Sequence, residues 1–105
     1  MLRWMALIWQ IPKEALRLRR IEPVKTAAVL LALADEAGPD GWCRVPMERL
    51  CRKAHMSPRE VSRVMAALEE ARLIRRGEEE GVWLLEIERL QELASAHPSS
   101  LADDL

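Results

Sequence analysis

The spacing at which apolar residues recur changes along this chain, and each change marks an element. Residues 2–11 are apolar at nearly every position, a run that periodicity cannot divide between a buried strand and a short helix. Because the run is short and stops at Pro12, a strand is expected there, followed by one helical turn over residues 13–18. Glu22-Pro23 opens a clear helix, since the missing N–H of proline costs nothing in a first turn, and Gly38-Pro39 stops it near Ala37. Residues 26–34 are apolar on almost every side, which predicts a helix at the centre of the domain with others packed around it. Asp40-Gly41 makes a turn, and residues 42–45 read as a short strand leading to Pro46.

Further along, Met47, Leu50, Cys51 and Ala54 fall at i, i+3, i+4 and i+7, the apolar face of a short helix ending near Lys53. His55-Met56 joins it to Ser57-Pro58-Arg59-Glu60, where serine caps, proline takes the first helical position and glutamate three residues on completes a capping box. The helix begun there sets Val61, Val64, Met65 and Leu68 on one face and runs to about Arg72. Leu73-Ile74-Arg75-Arg76 and residues 82–87 read as two strands joined by Gly77-Glu78-Glu79-Glu80-Gly81, a β-hairpin. Leu90, Leu93 and Ala94 stand at helical spacing before Pro98. The chain therefore divides into an apolar N-terminal strand or helix extension (1–21), a central domain (22–87), a C-terminal helix (88–97) and an acidic tail (98–105).

With 105 residues, half of them apolar and 31% charged, the chain is expected to form one soluble domain. It contains no Phe or Tyr, so Trp4, Trp9, Trp42 and Trp83 carry the aromatic burial and most are expected to seal edges of the core. The formal net charge of −1 conceals an uneven distribution. Residues 1–25 hold six basic and two acidic groups (+4), and residues 26–43 hold three acids (−3). Residues 44–76 hold nine basic and four acidic groups (+5), and residues 77–105 hold one basic and eight acidic groups (−7). A basic middle is thus followed by an acidic C-terminal third, an asymmetry that bears on partners.

Several function classes recede on chemistry. The apolar run at the N-terminus is too short to span a bilayer and lacks a small-residue cleavage site, so no membrane association and a cytoplasmic location are expected. Cys43 and Cys51 are expected to be reduced thiols. Together with His55 and His97 they match no zinc spacing, and no metal or cofactor is expected. There is no Ser-His-Asp grouping, no glycine-rich phosphate cradle and no pair of carboxylates in an apolar setting, so the chain is not expected to be an enzyme.

Two short helices joined by a tight turn, the second capped and backed by a hairpin, form the helix-turn-helix arrangement that presents a recognition helix to the major groove. The chain resembles the winged helix-turn-helix domains of phage and plasmid regulatory and replication-initiation proteins. The resemblance is carried by Val29-Leu-Leu-Ala-Leu-Ala-Asp-Glu-Ala37, Asp40-Gly41, Leu50-Cys51, Met56-Ser57, Val61, Leu68-Glu69 and Leu73-Ile74-Arg75-Arg76. It implies a mainly α fold with a small β-hairpin wing, and a sequence-specific double-stranded DNA-binding protein, a transcriptional regulator or replication-associated factor, reading the groove with residues 57–72.

On that helix, burying Val61, Val64, Met65 and Leu68 turns Arg59, Arg63, Ala66 and Glu70 outward, with Ser62 at the flank. Arg59 and Arg63 suit bidentate contacts to guanine O6 and N7. Ser62 is placed for a phosphate or base, Ala66 keeps the helix slim against the groove wall, and Ser57 marks an N-terminus whose N–H groups face a phosphate. Arg44, Arg49, Arg52, Lys53, Arg75 and Arg76 are expected to make backbone contacts.

The turn position usually held by glycine is His55, a residue that tolerates the left-handed conformation better than most. The wing tip is Glu78-Glu79-Glu80, which phosphate repels, so the wing is expected to stay off DNA or to meet a basic protein partner. Such docking defines the alternative function, a protein-protein interaction module built on a winged helix. The apolar termini, notably Trp4, Leu7, Ile8, Trp9, Leu90 and Leu93, are expected either to complete the core or to form a homodimer seam.

Overall fold

The computed structural model describes the backbone of residues 2–96 and the side chains of residues 4–95. The expected acidic tail, residues 98–105, and His97 lie outside the described residues. Helix α1 (Leu2–Trp9) is followed by a 3₁₀ turn (Lys13–Leu16), α2 (Pro23–Glu36), strand β1 (Trp42–Arg44), α3 (Met47–Ala54) and α4 (Pro58–Glu70). Strands β2 (Ile74–Arg76) and β3 (Val82–Leu85) and helix α5 (Ile87–Ala96) complete the order.

Helix α2 is the centre of the domain, as its all-round apolar pattern requires. It packs against α1, α3, α4 and β1, and Val29, Leu30, Leu33 and Ala34 are buried. Strand β3 lies between β1 and β2 and is antiparallel to both, with Cys43 opposite Trp83 and Ile74 opposite Leu85. The short strand before Pro46 therefore joins the hairpin in one three-stranded sheet. Its register turns Cys43, Ile74 and Leu85 into the core.

The N-terminal segment corrects the expectation of a strand: residues 2–9 are helical. Trp4 and Ile8, one turn apart, enter the core, while Trp9 turns outward and is 74% exposed. The neighbours of this segment are helices α2 and α5 rather than a sheet edge, and a 3.6-residue repeat brings Trp4, Ile8 and then Ile11 to one side. The Trp4 indole donates to the Gly38 carbonyl at 2.9 Å, locking α1 onto the turn after α2. Its ring lies over Gly41, where φ is +90° and an added Cβ would stand 3.2 Å from the ring and 3.1 Å from the Leu85 carbonyl oxygen. Glycine is required there on both counts.

Of the apolar residues expected either to complete the core or to form a homodimer seam, several complete the core. Trp4, Ile8 and Leu90 are buried inside the chain, Leu7 and Leu93 are half-buried, and only Trp9 of that set is exposed. Of the tryptophans, Trp4 is buried and Trp83 half-buried, whereas Trp42 is 42% and Trp9 74% exposed. Both cysteines are free. Cys43 donates to the Leu33 carbonyl at 3.3 Å, and burial, with Glu36 and Asp40 nearby, pushes its thiol up to about 12.

Candidate nucleic-acid interface

Helices α3 and α4 meet through a turn built by local chemistry. His55 takes φ 56° and ψ 48°, the left-handed cap of α3, and the Met56 N–H returns to the Cys51 carbonyl at 3.1 Å. Ser57 then caps α4: its hydroxyl accepts from the Glu60 N–H at 3.2 Å, and the Glu60 carboxylate accepts from the Ser57 N–H at 3.3 Å. The turn holds α4 with Val61, Val64, Met65, Ala67 and Leu68 buried. Arg59, Ser62, Arg63 and Ala66 face solvent as expected. The helix ends at Glu70, two residues before the expected Arg72, because Arg72 takes a positive φ of 64° and the Leu73 N–H returns to the Leu68 carbonyl.

The electrostatics of α4 are one-sided. Each of its carboxylates is held by a cation from another element: Glu60 by Lys25 at 2.8 Å, Glu69 by Arg76 at 3.3 Å, and Glu70 by Arg19, whose Nε donates at 3.0 Å. The hydrogen bond from Lys25, then that from the Ser57 N–H, holds the Glu60 carboxyl below its ordinary value. The hydrogen bond from Arg19 does the same for Glu70. Neither Arg59 nor Arg63 has a hydrogen-bond or ion-pair partner among the described residues. The uncompensated charges of the helix are therefore both positive, both exposed and one turn apart.

The other expected backbone contacts divide. Arg49 pairs with Glu36 at 3.3 Å, and Lys53 pairs with Asp35 and Glu36, neutralising acids that stand unfavourably at the C-terminal end of α2. Arg44 pairs with Glu79 at 2.9 Å and Arg75 with Glu86 at 3.3 Å. Arg76, besides holding Glu69, lies over the Trp83 ring at 5.0 Å. Arg52 is exposed with no partner among the described residues. On the wing tip Glu79 is engaged by Arg44, while Glu78 and Glu80 are exposed and unpaired among the described residues.

Lys25 and Arg19 were not legible as parts of this site. The run Arg17-Leu18-Arg19-Arg20 was the available signal, but only the tertiary structure sets it beside α4. Among the described residues no group of three His, Cys, Asp or Glu side chains could hold a metal ion, and no helix is long and apolar enough to cross a membrane.

A capped second helix with a cationic outer face, buttressed by a three-stranded wing, defines a winged helix-turn-helix DNA-binding domain. The chain belongs to the family of Crp-like helix-turn-helix domains, whose pattern it matches over residues 24–93. No curated protein and no solved structure matches the chain.

Proposed function

We propose that this protein binds double-stranded DNA sequence-specifically as a transcriptional regulator or replication-associated factor, with α4 in the major groove. The observation that carries the reading is the pair Arg59 and Arg63, free and exposed on a helix whose acids are all neutralised. A guanidinium already bound to a carboxylate must break that pair before it reads a base, whereas these two arrive with their donor forks open. Ser62 and Ala66 complete the surface facing the bases, and the Ser57 N-terminus and Arg52 meet phosphates. Arg44, Arg49, Lys53, Arg75 and Arg76 make weaker backbone contacts, because each exchanges an internal carboxylate for a phosphate.

Glu78 and Glu80 favour a second role for the wing, docking a basic surface of a protein partner. Any second copy of this chain in a homodimer meets it through Trp9 and neighbouring half-buried residues rather than through Trp4, Ile8 or Leu90.

Binding of the full chain to random duplex DNA across a salt series, followed by selection from a random-sequence pool, tests the reading. Affinity should fall steeply with salt and the selected duplexes should share a motif. Salt-insensitive or absent binding by the folded protein would overturn it in favour of the protein-docking module.

A further inference from the structure

Resting on that reading, we propose that the connector of residues 17–21, outside the stretch that matches the family, is a second DNA-contacting element in which Arg20 grips the phosphate backbone beside the groove read by α4. The connector has an unusual backbone. Arg19 and Arg20 are consecutive non-glycine residues with positive φ, 49° and 69°, a conformation that L side chains adopt rarely and at a cost. The surrounding structure enforces it. The Ile21 N–H closes the turn on the Leu18 carbonyl at 2.7 Å, Leu16 and Ile21 are buried on either side, and Glu70 of α4 fixes the Arg19 guanidinium.

The consequence is a cation placed along α4. Arg20 is exposed and has no partner among the described residues. It lines one cleft with Lys25 and Arg63, and the carboxylates facing that cleft are Glu22 and Glu60. Lys25 already holds Glu60, so the balance facing solvent is positive. Arg63 is close enough for its charge to act on Lys25.

The connector also occupies the flank that the wing does not. Ser62 and Ala66 face a cleft with Arg19, Ile21 and Arg63 on one side and a trough with Arg76 and Trp83 on the other. The exposed ridge of α4 thus runs between connector and wing. On the wing side the free charges are Glu78 and Glu80, which repel phosphate. On the connector side the free charges are the cations Arg17, Arg20 and Arg63 against the one carboxylate of Glu22, a positive balance. A strand of phosphates following the groove wall is attracted there, and the connector serves as a stronger backbone grip than a wing whose arginines are engaged by carboxylates.

Glycine at position 20 gives a clean test, because it suits the left-handed backbone while removing the cation. In the full chain, Arg20→Gly should bind about eightfold more weakly at 0.1 M salt, as the loss of one counterion-releasing contact requires, and should flatten the slope of log affinity against log salt by about 0.9. The loss should be equal on random and selected duplexes, with a thermal midpoint unchanged or raised. Arg20→Lys should keep affinity within about twofold, since a phosphate accepts either cation. Arg63→Ala should lose more on the selected duplex than on the random one. If Arg20→Gly binds like the parent while Arg63→Ala is weakened, or if Arg20→Lys loses as much as Arg20→Gly, the connector role is overturned and the recognition-helix reading stands. If the parent chain itself shows no salt-dependent DNA binding, both fall together.

Discussion

On helix α4 the carboxylates are bound and the arginines are free, whereas around the wing the arginines are bound and carboxylates at the tip are free. Both regions carry mixed charge, and neither composition reveals its sign to a partner. On α4, Lys25, Arg76 and Arg19 hold Glu60, Glu69 and Glu70, leaving Arg59 and Arg63. Around the wing, Glu79, Glu86 and Glu69 hold Arg44, Arg75 and Arg76, leaving Glu78 and Glu80. Arg76 and Glu69 join the two regions, so one ion pair silences a cation of the wing and an acid of the helix together. The charge presented to a partner is what remains after internal pairing, and pairing is a property of the fold.

The contrast can be broken experimentally. The largest effect is expected from removing both free arginines of α4. Each bidentate base contact accounts for about 1–3 kcal/mol of discrimination, so Arg59→Ala with Arg63→Ala should lower affinity for a selected duplex about a hundredfold and erase its preference over random DNA in a competition assay. Retained preference would shift base reading elsewhere. Next in size, Glu78→Lys with Glu80→Lys should convert the wing to the sign of α4. Random-duplex affinity at 0.1 M salt should rise about tenfold and the salt slope should steepen, and no change would mean that the wing lies beyond reach of the backbone.

Smaller effects sharpen the helix side. Ser57→Ala should cost about 1 kcal/mol of stability by denaturant titration, because the Glu60 N–H loses its hydroxyl cap. The Lys25–Glu60 pair should show in the pH dependence of stability. The folded-state pKa of Glu60 lies below its unfolded value, so the stabilisation is complete above the ordinary carboxylate range, near about 4.3, and is lost as pH falls through the lowered folded value. Lys25→Met should therefore be less stable than the parent at neutral pH, the difference closing in acid; a gap that persists in acid would assign it to packing instead. The smallest change is expected from Arg44→Ala and Arg75→Ala, which should each alter DNA affinity by less than about twofold at physiological salt, since both cations are already engaged. A larger loss from either would mean that its internal ion pair yields fully to a phosphate and would weaken the contrast.

Much of the architecture was legible residue by residue because it rests on short-range chemistry. The capping box at Ser57 and Glu60, the left-handed His55, the Pro23 start of α2 and the hairpin around Gly77 to Gly81 are each decided within a few neighbours. Position along a 3.6-residue repeat also sufficed to turn Arg59, Ser62, Arg63 and Ala66 outward. The first eleven residues were not legible, because an apolar run fits a strand or a helix equally until its packing partner is known, and α2 and α5 select the helix. The same packing buries Trp4, Ile8 and Leu90, which in sequence look as available for a partner as Trp9.

What the chain determined by itself, then, is the order of elements and the direction in which each helix faces, since caps, turns and periodicity act over at most about one helical turn. Only the tertiary structure decided which charges are left to face a partner. Arg19 meets Glu70 across 51 residues of sequence, and Lys25 meets Glu60 and Arg44 meets Glu79 across 35. Coulomb attraction depends on distance in space, and no pattern along the chain encodes which of two identical side chains will find its counterion.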